Sequence, residues 1–449
     1  MKKKLFSAAI LLAIVISLAL PLLLCGCQPR NEILKVYNWS EYIGEDVIEK
    51  FEEYYQEITG RSITVKYDLF DENEMMYSQI KTTKADYDVI CPSDYMVEKM
   101  VKEKLLLKLE KNLSDMGYGE IEDYRDNISP LLLSGDAKDG YYFDYDYDEE
   151  SGEYNVYSRT YTMGTLGILY ANDSTAYQKS NYGKYSSMQE YVEANGWAVM
   201  WDKAYDQKIM MKNSVRDTYA IGAIYTLLNE RSDMLLPTMT PELALNATDP
   251  TNVAKIEKKL IAQKALLSGY ENDEGKEVII QGGIDLTLQW AGDAVYAMGY
   301  LQEELSKERD MSYFVPYEGS NLFSDAWCIP KYARNTDAAN LWINFMCRGD
   351  IAVENMDYIG YTSGVICQEV YDYIVENWAS EEETEFFVDM SHFFGKDSEF
   401  DPVIYVSEED FNAFEAQFPS LEIIKRCAVM KDYGEQTRAM NRMWRNVKA

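Results

Sequence analysis

Four short segments set an aromatic ring beside a small polar or acidic residue: Asn38-Trp39-Ser40-Glu41-Tyr42, Pro92-Ser93-Asp94-Tyr95, Gln289-Trp290-Ala291-Gly292-Asp293 and Phe323-Ser324-Asp325-Ala326-Trp327. An aromatic face attracts an ammonium through its quadrupole, a contact worth about 2 kcal/mol once desolvated. A carboxylate beside the ring adds a charge-assisted hydrogen bond. This is chemistry for holding a cation. Any one segment alone reads as core aromatics beside a turn; four in order along one chain favour a shared site. The catalytic inventory, by contrast, is thin. His392 is the only histidine, which restricts triads and zinc sites, and its Ser-His-Phe-Phe setting reads as a surface or half-buried structural position. There is no GxSxG, HExxH, Walker loop or GxGxxG after a strand. Paired carboxylates could support glycoside hydrolysis without a histidine, but among 76 acids a pair found in sequence carries no information.

Such segments converge only if something aligns them, and in an α/β sheet ligands bind at the carboxyl ends of strands. From Leu34 onward strand-like and helix-like segments alternate, the pattern of α/β architecture. Strands are expected at Leu34–Tyr37, 63–70, 87–91, 167–170, 208–211, 285–290, 313–316 and 326–330. Helices are expected at 45–58, 73–83, from about 94 through Leu107, and at 216–229, 252–267 and 338–347. Residues 141–161 alternate with period two around a turn-like Asp148–Gly152 and predict a hairpin insertion with a solvated acidic face. Asp144, Asp146 and Asp148 faintly resemble a calcium loop, but Glu149 stands where its glycine belongs and Asn155 where its final Glu does. With no repeat or low-complexity linker, crossing strands are expected to join the domains.

Composition narrows the partner. The 449 residues carry 43 Lys plus Arg against 76 Asp plus Glu, a net charge of −33. A nucleic-acid binder needs a basic footprint, so that class is excluded, and the field draws in cations. Hydrophobic residues at 47% suffice for real cores, and aromatics at 13%, with 37 Tyr, are rich for an ordinary domain. Met1-Lys-Lys-Lys4 followed by an apolar run to Leu24 reads as an export leader. Without residues 1–26, which hold three Lys and no acid, the net charge becomes −36. Cys91, Cys328, Cys347 and Cys367 lie in apolar runs without CxxC spacing and predict buried thiols, leaving no metal site.

Leu24-Cys25-Gly26-Cys27 resembles a bacterial lipobox, which implies lipidation of Cys27 and a body outside the cytoplasm. The chain as a whole resembles the extracytoplasmic spermidine/putrescine receptors of bacterial ABC importers. The resemblance rests on Val36-Tyr-Asn-Trp-Ser-Glu-Tyr-Ile43, Asp86-Tyr-Asp-Val-Ile-Cys-Pro-Ser-Asp-Tyr95, Val215-Arg-Asp-Thr218, Gln289-Trp-Ala-Gly-Asp293, Glu318-Gly-Ser-Asn-Leu-Phe-Ser-Asp325 and Tyr358-Ile-Gly-Tyr361. It implies a type II-like periplasmic-binding-protein fold, two α/β lobes with two crossings and a central ligand cleft. The lobes are expected at 33–160 with 322–361, and at 161–321 with 362–449. The implied aromatic box is Trp39, Tyr42, Tyr95, Trp290, Phe323 and Tyr361. Ser40, Glu41 and Ser93 would hydrogen-bond the ligand, and Asp217 and Asp325 would pair with its amines. Ser214 stands where the family's spermidine receptor has a carboxylate, Met430 near a position supplying an amide, and Phe323 where it has a Trp.

The expectation is therefore a monomeric, non-enzymatic, lipid-anchored receptor without cofactor, delivering a linear polyamine to a permease and its ATPase. The alternatives are a receptor of the same fold for another cationic or sugar solute, and an extracellular glycoside hydrolase.

Overall fold

The computed structural model of the protein describes residues 29–135, 143–229, 239–380, 386–395 and 400–449. The leader, Cys27, and Tyr141 and Tyr142 of the expected hairpin lie outside the described residues. The chain forms two α/β lobes on one mixed sheet. Strands β1 (Ile33–Trp39), β2 (Thr64–Phe70) and β3 (Val89–Ile90) run parallel in the order β2-β1-β3. Helix α1 (Val47–Thr59) makes the crossover between the first two, burying Val47, Phe51, Tyr54 and Tyr55 at helical spacing. Helices α2 (Asn73–Ser78) and α3 (Asp94–Lys102) follow, and β4 (Leu106–Leu107) closes the segment.

A 14-residue strand, β5 (Ser158–Ala171), is common to both lobes. In the second lobe β6 (Ile209–Lys212), helix α4 (Val215–Asn229), helix α5 (Pro250–Lys264), β7 (Leu267–Glu271), helix α6 (Gly275–Ile280), β8 (Leu286–Trp290) and helix α7 (Ala291–Met298) follow; the helix expected over 252–267 ends at Lys264, and β7 and α6 are not among the expected elements. Strand β9 (Met311–Phe314) and β10 (Leu322–Pro330) return to β5. The full order is β2-β1-β3-β10-β5-β8-β6-β7. The first half of β5 pairs with β10, Thr165 facing Leu322 and Thr162 facing Asp325. Its second half pairs with β8, Leu166 facing Trp290. Helices α8 (Thr336–Met346) and α9 (Gly349–Ile359) cover the first lobe, and the short β11 (Thr362–Ser363) adds to β5. There the rings of Phe51, Trp327 and Trp342 pack edge to face, a geometry that aromatic quadrupoles favour.

Several local expectations are corrected. The helix expected through Leu107 ends at Lys102, and the chain re-enters the sheet as β4. The helix expected over 73–83 is α-helical only to Ser78 and continues as a wider π turn to Thr83. The strand expected at 167–170 is the end of the longer β5. The hairpin shrinks to one two-residue ladder, Tyr147–Asp148 against Glu153–Tyr154, and its second arm joins the central sheet instead. Its acids divide: Asp144, Glu149, Glu150 and Glu153 are exposed as expected, whereas Asp146 and Asp148 are not. Asp146 is buried and accepts the backbone N–H groups of Val156, Tyr157 and Ser158 at 2.8 to 3.1 Å. Asp148 is buried against Lys108 at 2.6 Å, and Asp144 pairs with Lys431. Period two reveals which residues share a face, but not what covers that face. His392 is buried, with Nε2 on the Pro419 carbonyl at 3.0 Å. Cys91, Cys328, Cys347 and Cys427 are buried free thiols, while Cys367 is half-buried.

Candidate functional site

The parallel strands end on one side of the sheet, at the seam between the lobes. The residues just past β1, β2, β3, β6, β7 and β8 all line one cavity of about 110 Å³. From β1 and the turn after it come Trp39, Ser40, Glu41 and Tyr42; from beyond β3, Ser93 and Tyr95; from the first turn of α4, Asp217; from β8, Trp290. The middle of β10 contributes Phe323 and Asp325, and Tyr361 follows α9. The structure thus brings together all eleven residues singled out in the sequence.

Three helices that begin at the cavity, α3, α4 and α7, carry Asp94, Asp217 and Asp293 in their first turns. A bare helix start is positive and favours an anion. Each of these starts is already answered by its own carboxylate. In all, the wall presents nine carboxylates and only three cations, Lys212, Arg216 and Lys276. The cavity is accordingly built for positive charge.

Asp325 is the centre of one end. It is 5% exposed, and Tyr42 donates its phenol to Oδ2 at 2.8 Å. Its Oδ1 is buried without any hydrogen-bond partner, and Asp325 makes no ion pair among the described residues. Burial pushes its carboxyl up to about 6, tempered by the Ser93 and Tyr42 hydroxyls and reinforced by Asp217. Asp217, 8% exposed, is also raised by burial, held back by the Ser214 hydroxyl, the Trp290 indole and the Lys212 charge. Ser214 caps α4 by accepting the N–H groups of Arg216 and Asp217 at 3.2 Å each. Around Asp325 stand the Tyr42 and Tyr361 rings, edge to face at 4.9 Å, with Phe323 at 6.3 Å from Tyr361. Trp39 is fixed by its indole N–H on the Cys91 carbonyl at 2.9 Å. Tyr361 approaches α7 so closely that a Cβ on Gly292 would run into its ring, which is why that turn needs glycine.

The other end is occupied by the protein's own cations, which the sequence reading missed. Lys212 Nζ lies 4.0 Å from the Trp290 ring centroid, 3.1 Å from Glu271 and 3.4 Å from Asp293. Lys276 lies 3.2 Å from Glu41 and 3.5 Å from Asp293. Despite burial, these lysines and the Tyr361 hydroxyl at 3.1 Å hold the Asp293 carboxyl below its ordinary value. Arg216 is sandwiched between Tyr95 at 3.9 Å and Tyr433 at 3.6 Å. Two of the six rings of the expected box therefore already carry a cation of the chain. A strand read one residue longer would have placed Lys212 at the cleft, and Asp293 already stood in the Gln289-Trp-Ala-Gly-Asp293 motif. Lys276 had no local signal, because its partner Glu41 is 235 residues away in sequence.

No helix among the described residues is long and apolar enough to cross a membrane. The chain is 23% identical over 424 residues to the putrescine-binding periplasmic protein SpuD of Pseudomonas aeruginosa, covering 93% of this chain and 92% of that protein. It is 25% identical over 332 residues to the spermidine/putrescine-binding periplasmic protein of Escherichia coli, covering 74% of this chain and 77% of that one. Among solved structures it resembles the spermidine/putrescine ABC transporter substrate-binding protein PotD of Streptococcus pneumoniae, with a TM-score of 0.59, 25% identity and coverage of 93% and 98%. The Tp0655 lipoprotein of Treponema pallidum shares the fold, with a TM-score of 0.58, 20% identity and coverage of 92% and 99%. These neighbours share the two-lobed periplasmic-binding-protein architecture, and the curated relatives are named binding proteins, not enzymes. Residues 46–380 match the family described as bacterial extracellular solute-binding proteins, and the chain belongs to that family.

Proposed function

We propose that this chain is the receptor of an ABC importer for a linear polyamine, held at the outer face of the membrane by lipid on Cys27 and working as a monomer. The ligand would lie in the seam between the lobes 33–160 with 322–361 and 161–321 with 362–449, with β5 as their shared element. One observation carries the reading. Asp325 is a buried carboxylate with an orphaned oxygen and, among the described residues, no cationic partner, set among aromatic rings. A buried charge left unpaired is costly, and an ammonium entering there gains an ion pair, a charge-assisted hydrogen bond and ring faces together. The methylenes between amines would lie along Trp39, Phe323 and Trp290, in keeping with the mostly apolar walls of small-molecule sites. Glu41, Ser40, Ser93, Tyr95 and Asp217 complete the proposed contacts. The putrescine- and spermidine/putrescine-binding relatives point the same way.

Calorimetry with putrescine and spermidine tests the reading, and at least one is expected to bind more tightly than about 100 μM, roughly −5.5 kcal/mol. Weaker binding by both overturns it, and a thermal-shift panel adding oligosaccharides then identifies a sugar receptor instead.

A further inference from the structure

The ammonium nearest Trp290 belongs to the protein. Lys212, the last residue of β6, has no exposed side-chain surface. Its Nζ touches Glu271 at 3.1 Å, Asp293 at 3.4 Å and the Asn272 carbonyl at 2.6 Å, beneath the ring at 4.0 Å. Two carboxylates, a carbonyl and an aromatic face are the partners an incoming ammonium would need. Lys276 adds a second positive charge against Asp293 and Glu41. Lys212 thus answers Glu271 and shares Asp293 with Lys276, whose other partner is Glu41.

We propose that Lys212 is the specificity-determining residue of the cleft: as a tethered ammonium it fills the place of a further ligand amine, so that short linear diamines are preferred over tri- and tetra-amines. The inference rests on the polyamine reading given above. No lysine or arginine among the described residues pairs with Asp325, so a first ligand amine finds an unmatched acid there. A longer polyamine must bring another charge towards Lys212 and Lys276, which already hold Glu271, Asp293 and the Trp290 ring and repel a like charge in a buried setting, so that it is left with Asp217 and Asp273 on the cavity wall. A purely structural role, balancing Glu271, which also accepts from Gln289 and Gly275 at 3.0 Å each, would affect stability and leave amine preference untouched.

Calorimetry on the wild type, Lys212→Met and Lys212→Gln with putrescine, cadaverine and spermidine separates these roles. The wild type is expected to bind putrescine at least tenfold more tightly than spermidine. Both variants are expected to shift that ratio at least tenfold towards spermidine. Lys212→Gln keeps a donor for Glu271 and Asn272 and serves where the methionine variant fails to fold. A ratio within twofold of wild type in a folded variant, or a wild type that prefers spermidine, overturns the assignment while leaving a polyamine receptor in place. Absence of binding by every amine to the wild type overturns the polyamine reading and this inference with it.

Discussion

The two ends of the cleft are made of the same materials and differ in whether their charges are matched. At one end Asp325 stands among Tyr42, Phe323 and Tyr361 with an oxygen that no hydrogen bond among the described residues satisfies. At the other, Asp293 beside Trp290 is held ionised by two lysines and a tyrosine. A carboxylate with its cation built in is finished structure, whose burial is repaid within the fold. A carboxylate without one is a demand placed on the solvent. The net charge of −33 suggested only the sign of the partner. The contrast between the ends indicates where that partner is needed.

The largest test of this contrast is Asp325→Asn. Truncating one member of a buried charge pair costs about 2–5 kcal/mol, so putrescine affinity measured by calorimetry is expected to fall about a hundredfold. The unligated variant is expected to melt higher than wild type at pH 7.5 in scanning calorimetry. The sign follows from a folded pKa of about 6, above the ordinary value. Such a group contributes stability that is present below an unfolded pKa of about 3.9 and lost as pH rises through about 6. At neutral pH the aspartate therefore burdens the fold, and asparagine does not.

Trp290→Ala comes next, with an expected loss of about tenfold in affinity from the apolar face it offers the ligand's methylenes, roughly 1.4 kcal/mol or about two buried methylene groups. It also uncovers Lys212, so a lower melting temperature should accompany it; an unchanged one would break the claim that this end is structural. Acidifying from pH 7.5 to 5 should weaken putrescine about tenfold, as ligand binding must displace a proton from Asp325. That dependence should vanish in Asp325→Asn. The smallest effect belongs to Glu41→Gln. Its side chain is 64% exposed and its pairing with Lys276 is that of a solvent-screened ion pair, worth under about 1 kcal/mol. Affinity should change less than threefold in the same titration.

Much of the site was legible because its residues sit in short motifs at strand ends, where the alternation of strand and helix alone directs them to one rim. Trp39, Ser93 and Trp290 follow from that logic without any contact being known, whereas Asp325 reaches the rim from the middle of β10. What was not legible is compensation. Whether an acid is open or already matched depends on partners far away in sequence, such as Lys276 for Glu41. The same blindness explains the acidic hairpin: Asp146 and Asp148 looked solvated, yet one caps three backbone amides and the other holds Lys108. Local composition records the charges, and only the tertiary fold assigns their counterions.

Strand β5 gives the cleft a ruler. Asp325 is in register with Thr162 and Trp290 with Leu166, on a single continuous strand. Four residues at about 3.3 Å each fix the backbone positions of the two ends roughly 13 Å apart. The interval between the cleft's open charge and its matched one is therefore counted in peptide units of one chain segment, and it can change only by whole residues. One residue inserted between Thr162 and Leu166 would lengthen it by about 3.3 Å and turn one half of the strand over. A family that varies its cleft on this scaffold is left with side chains as the fine adjustment.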